Sequence, residues 1–226
     1  MSMATLLQDL FHIAILDDFP CYDDQLPNLI ALEVGTAQAL PINRELQRIQ
    51  LGLTRRSDNL EQLSALSRYS PTLTTLNIVQ VGFGYNSTTL DIFERVAQEP
   101  EVSPDSLLID DSPISALTKF TKLETFILYS KTIIGFHDST LNHNYALETR
   151  PGLNTFGMAI MTACPTLRRA IVGAWVYDPD PDSPWPFKTS ELVCTLRRTS
   201  GGGSIQSEFG TEFDFAGTSM FWEPYP

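Results

Sequence analysis

One pattern of apolar and polar positions recurs along the chain: an aliphatic residue, two variable residues, a second apolar residue, one variable residue, a third aliphatic. It runs through Leu10, Ile13 and Ile15, then Leu29, Leu32 and Val34, then Leu46, Ile49 and Leu51. It returns as Leu73, Leu76 and Ile78, as Leu123, Phe126 and Leu128, and as Leu167, Ala170 and Val172. The last two apolar positions of each copy are two apart, so both point to one side of a short strand. The first lies three residues earlier, where the chain is turning in. One such unit cannot bury its own apolar face, whereas stacked units can.

The segments ahead of the later copies read as short helices. Leu60, Leu63 and Leu66 are spaced for one helical face before Leu73, and Ile114, Leu117 and Phe120 do the same before Leu123. Phe156, Ile160 and Ala163 precede Leu167, and at two of these junctions Pro71 or Pro165 helps to stop the helix. The anchors are unevenly spaced, 17 residues from Leu29 to Leu46 but 50 from Leu73 to Leu123. Ideal leucine-rich repeats run about 20 to 29 residues. The long gaps before Leu123 and Leu167 therefore hold insertions or eroded repeats, with residues 107–109 and 133–136 as candidates.

The C-terminal part differs. Residues 192–198 read as a strand, 200–204 as a glycine-rich turn and 205–209 as a returning strand. A solenoid needs a cover for its last apolar layer, and this hairpin, with Phe213, Phe215 and Trp222, suits that role. The fold expected is α/β: an irregular leucine-rich-repeat-like solenoid over residues 1–174, with a capping region over 175–226.

The segments CPTLRRAIVGA (164–174), SPTLTTLNI (70–78) and TKLETFIL (121–128) resemble the repeat region of fungal F-box and leucine-rich-repeat-like proteins. In that family an N-terminal F-box docks on a ubiquitin-ligase adaptor and the repeats hold the substrate. The resemblance implies a substrate-recognition role for the repeats. No F-box is legible at the start of the chain, where residues 6–16 already form a repeat.

Composition narrows the partner. The 226 residues are 42% hydrophobic and 19% charged, enough apolar material for a sizeable core, and the net charge is −12. Such a chain repels polyanions on average, so neither nucleic acid nor an anionic membrane is expected as a partner. The doublets Arg55–Arg56, Arg168–Arg169 and Arg197–Arg198 are isolated and make no basic stripe. Cys21, Cys164 and Cys194 are too few and too scattered for a disulfide framework or a zinc site. With no signal-peptide pattern and no apolar run of about 18 residues, a cytoplasmic or nuclear protein is expected.

Little chemistry is visible. His137, Asp138 and His143 match no metal-site spacing, and Asp178, Asp180 and Asp182 alternate with prolines without the glycine and glutamate of a calcium loop. Ser204 lacks the flanks of a nucleophile elbow. The strongest enzymatic alternative is a nucleotide-binding turn at Gly82-Phe83-Gly84 between a strand and a helix. The third glycine of that motif is replaced by Ser87, and Tyr85 and Asn86 crowd the turn. The reading is therefore a non-enzymatic module that binds a protein partner, with no catalytic residue, metal or cofactor. In a solenoid the variable strand residues line an open face, and Glu33, Arg48, Gln50, Asn77, Tyr129 and Arg169 are the candidate contacts.

Overall fold

A computed structural model describes residues 12–15, 30–34, 45–54, 65–83, 113–133, 149–179, 187–199 and 203–210. The chain is a mixed α/β protein built on one eight-stranded sheet. Its strands are β1 (His12–Ile15), β2 (Ala31–Val34), β3 (Arg48–Thr54), β4 (Thr75–Phe83), β5 (Thr125–Ile133), β6 (Arg169–Pro179), β7 (Phe187–Arg198) and β8 (Ile205–Gly210). A 3-10 turn (Leu66–Tyr69) precedes β4, helix α1 (Pro113–Thr118) precedes β5, and helix α2 (Arg150–Ala163) precedes β6. Strand order in the sheet is chain order, β1 through β8. The first six strands are parallel, and β7 runs antiparallel to both its neighbours, β6 and β8.

Each of the six recurring apolar triplets supplies one parallel strand, and the register matches the pattern position by position. Ile13, Leu32, Ile49, Leu76, Phe126 and Ala170 are successive cross-strand partners, and so are Ile15, Val34, Leu51, Ile78, Leu128 and Val172. The anchors Leu46, Leu73, Leu123 and Leu167 are buried beside them. A one-residue slip of any strand would turn its apolar set to the other face, so the pattern locks the register.

Backbone bonds at the entry to each strand repeat as well. The carbonyl of Ile30 accepts the N–H groups of Gln47 and Arg48, and that of Gln47 accepts those of Thr74 and Thr75. Thr74 then receives Glu124 and Thr125, and Glu124 receives Arg168 and Arg169. One turn carbonyl thus holds two donors of the next unit, which satisfies buried backbone groups and stacks the turns in a row.

The two long sequence gaps insert no strand between β4, β5 and β6, because β4 pairs directly with β5 and β5 with β6. Of the two candidate eroded repeats, residues 107–109 and 134–136 lie outside the described residues, and Ile133 is the last residue of β5.

The helices lie against the face carrying the repeat apolar residues. Leu117, Leu153, Phe156, Ile160 and Met161 share one cluster with Leu76, Phe126, Leu128 and Val172. α2 forms where its sequence favours it: Thr149 caps it by accepting from the Gly152 N–H at 3.1 Å, and a proline sits in the first turn. Its buried residues Leu153, Phe156, Gly157, Ile160 and Met161 follow helical spacing. Pro165, just past its end, cannot continue it.

The hairpin expected at the C-terminal side is present, with β7 longer than anticipated and Gly203 at the turn in a positive-φ conformation (112°) that suits glycine. The boundary after residue 174 falls inside β6, and β7 pairs along the whole of that strand. Cys194 and Leu196 of β7 join the same core as the repeats. Phe213, Phe215 and Trp222 lie outside the described residues.

Cys164 and Cys194 are buried free thiols, and burial pushes them up to about 12 and about 11. Their neutral form contributes stability in full below pH about 9. That contribution is lost as pH rises from there through the folded-state values. Site-resolved alkylation of the native protein at pH 8 should leave both thiols unmodified, and both should react once denaturant unfolds the chain. Native-state labelling at either position would contradict their placement in the core.

Candidate interaction surface

The sheet's second face, opposite the helices, carries the variable positions. Ala31, Arg48, Thr75, Thr125, Arg169 and Arg197 form one cross-strand row. Glu33, Gln50, Asn77, Ile127, Ile171 and Thr195 form the next. The six candidate contacts divide here. Glu33, Arg48 and Arg169 are partly exposed. Gln50, Asn77 and Tyr129 retain only 7%, 1% and 0% of their accessible surface, and Thr75 and Thr125 are buried with them.

The expected open face is therefore corrected over its centre: it is covered there. The physical reason is apolar content. Ile127, Ile171 and Val193 form a second cluster on this side of the sheet. Strands reading Phe126-Ile127-Leu128-Tyr129 and Ala170-Ile171-Val172 do not alternate apolar with polar. A parallel strand of that kind is buried on both faces, and that signal was legible in the sequence.

Within this covered face Asn77 Nδ2 donates to Gln50 Oε1 at 2.6 Å across β4 and β3. Asn77 Oδ1 and Thr75 Oγ1 are buried without a hydrogen-bond partner. Such groups are uncommon in folded proteins and cost stability.

The nucleotide-turn alternative meets a different geometry. β4 continues through Gly82 to Phe83, and Gly82 is the register partner of Thr132 in β5, so the chain does not turn there. Gly84 lies outside the described residues, as do His137, Asp138 and His143. The strand order shows no reversal of the kind at which dinucleotide folds bind. Among the described residues no group of three or more His, Cys, Asp or Glu is placed to hold a metal ion. No described helix is long and apolar enough to cross a membrane.

An open groove of about 720 Å³ lies where the chain turns into β4, β5 and β6. Thr74, Thr121, Lys122, Glu124, Pro165, Thr166, Arg168, Arg198 and Thr199 line it. Its walls are the equivalent turns of successive repeats, TKL at Thr121–Leu123 and PTL at Pro165–Leu167. Several of its polar groups fasten these turns: Thr74 Oγ1 donates to the Gln47 carbonyl at 3.0 Å, and Thr121 Oγ1 contacts that of Ser70 at 3.5 Å. Arg198 Nε donates to the Leu167 carbonyl at 3.0 Å, and its Nη2 donates to the Met161 carbonyl in the last turn of α2. A cation there suits the negative end of the helix.

Two basic doublets meet at this rim. Arg169 and Arg197 are cross-strand partners, and the Arg198 N–H binds the Arg168 carbonyl at 2.8 Å. The expectation that they stand apart is thus corrected. They are separate in sequence, but antiparallel pairing of β6 with β7 brings them together. Arg168 keeps 77% of its side chain exposed and faces Glu124, itself 43% exposed, at 3.7 Å. The groove was missed because its residues fall in turns, outside the strand positions that the repeat singles out.

The chain matches no known family model, no curated protein and no solved structure.

Proposed function

We propose that this chain is a leucine-rich-repeat-like protein-interaction module: an irregular solenoid of six strand units, closed by the β7–β8 hairpin as a cap, that holds a polypeptide partner and carries out no chemistry itself. The observation that carries the reading is the strand stack. Six parallel strands follow one another in chain order, with their repeat apolar positions in register. Stacked units of this kind build extended surfaces suited to protein partners. On this reading the resemblance to fungal F-box and leucine-rich-repeat-like proteins extends to role, with the chain as the part that recognises a ubiquitin-ligase substrate. The partly exposed Glu33, Arg48 and Arg169 are the strand-face contacts, while Gln50, Asn77 and Tyr129 support the face from within.

Photo-crosslinking tests it. A benzoylphenylalanine placed at Glu33, Arg48, Arg169 or the rim residue Lys122 should trap the same polypeptide in cells of the source organism. The same probe at Thr162, exposed on α2, should not. Crosslinks that fail to form at every one of the four positions, or that are identical at Thr162, would rule the reading out.

A further inference from the structure

Resting on the reading that the chain binds a polypeptide, we infer that the groove at the strand-entry rim recognises an acidic segment of the partner, with Lys122 and Arg168 contacting its carboxylates. The protein carries a net charge of −12, yet three cations, Lys122, Arg168 and Arg198, line this groove against one carboxylate, Glu124. A local field opposed to the sign of the whole molecule marks a place where an anionic group is selectively favoured.

The three cations have different tasks. Arg198 is held by the Leu167 and Met161 carbonyls and forms part of the groove's framework. Arg168 and Lys122 are exposed, and among the described residues Lys122 has no carboxylate partner. Arg168 faces Glu124 at 3.7 Å, a long contact between solvated groups that contributes little stability. An incoming carboxylate gains a planar guanidinium with paired donors and displaces only that weak contact. Glu124 is thus a competitor built into the site, occupying Arg168 until a better-placed carboxylate arrives. The groove volume suits a few side chains rather than a long polymer. Two cations free to receive a ligand are too few for a phosphate backbone, which gains its affinity from many dispersed basic contacts.

The full chain should be titrated with a fluorescein-labelled hexaglutamate peptide, followed by anisotropy at low ionic strength. Hexalysine and oligothymidylate serve as comparisons. Hexaglutamate should bind and hexalysine should not, and added salt should weaken the complex. Lys122→Glu and Arg168→Glu should each weaken it about tenfold, the loss of one charge-assisted contact. Glu124→Gln should strengthen it roughly threefold, in line with release of an exposed ion pair.

Arg150→Glu makes the same change in net charge at the opposite end of α2, about 20 Å away by helix length, and should have little effect. Thermal melts identify any variant that fails to fold, and Lys122→Gln and Arg168→Gln then stand in for the reversals, with a smaller loss expected. The inference is overturned if Lys122 and Arg168 variants bind like the parent, if Arg150→Glu matches their loss, if Glu124→Gln weakens binding, or if oligothymidylate binds more tightly than hexaglutamate. Partner crosslinks from Glu33, Arg48 or Arg169 alongside any of those results would leave the interaction-module reading standing and remove only the acidic-segment groove.

Discussion

Phe126→Ala is expected to cost about 3–5 kcal/mol, a large share of the roughly 5–15 kcal/mol that keeps a typical domain folded. Phe126 is fully buried and occupies the second repeat position of β5, between Leu76 of β4 and Ala170 of β6. It belongs to the cluster that also takes in Leu117, Phe120 and Phe156, so it sits in the core shared by the sheet and the helix layer. Truncation removes the apolar contacts of the ring and leaves a cavity that a tightly packed surround fills only in part. Chemical denaturation should show a lower midpoint with an unchanged slope, and the melting temperature should fall by about 10 °C. Phe126→Leu, which keeps most of the volume, should cost under about 1.5 kcal/mol. A loss below about 1 kcal/mol for Phe126→Ala would mean that β5 does not sit in the core as described.

Gly157→Val should cost about 3 kcal/mol by overpacking, although glycine inside a helix is itself unfavourable by about 1 kcal/mol relative to alanine. The reason is a close approach of α2 to β7. A Cβ at position 157 would lie 2.2 Å from Leu196 Cδ1, 3.1 Å from Cδ2 and 3.2 Å from Cγ. Leu196 is fully buried, so its side chain has nowhere open to move. The contact fastens the hairpin to the helix layer, joining a segment that departs from the repeat pattern to the core the repeats build. A double-mutant cycle makes the claim specific. Gly157→Val combined with Leu196→Ala should lose less than the sum of the single changes, by at least about 1 kcal/mol, because the truncated residue vacates the space the valine needs. Simple additivity would show that the two positions do not compete for volume.

Both variants probe the part of the molecule that was most legible in the amino-acid pattern. The six apolar triplets are strands in register, and the helices before β5 and β6 lie where helical spacing put them. This much is local physics: a two-residue alternation on strands and a three-to-four-residue spacing on helices can each be read within a dozen residues. The hairpin was legible for the same reason, since its glycine-rich turn and flanking β-formers are contiguous.

The surface was less legible. Gln50 and Asn77 looked like open strand-face contacts because polar residues at variable positions normally face water. Their burial depends on packing with segments distant in the chain, which no window centred on them contains. The warning signal sat elsewhere, in the unbroken apolar runs around Ile127, Tyr129 and Ile171.

The sequence by itself determined the repeat, the order in which its units stack, and the side of each strand that enters the main core. Those follow from spacing and from the need to bury apolar surface cooperatively with a neighbour. Only the tertiary structure decided three other things. The long gaps contribute no strand between β4, β5 and β6. Much of the second sheet face is covered. And Arg168 and Arg198, thirty residues apart, line one groove with Lys122. Each depends on contacts between segments distant in the chain, where pairing energies and excluded volume act and local pattern carries no record of them.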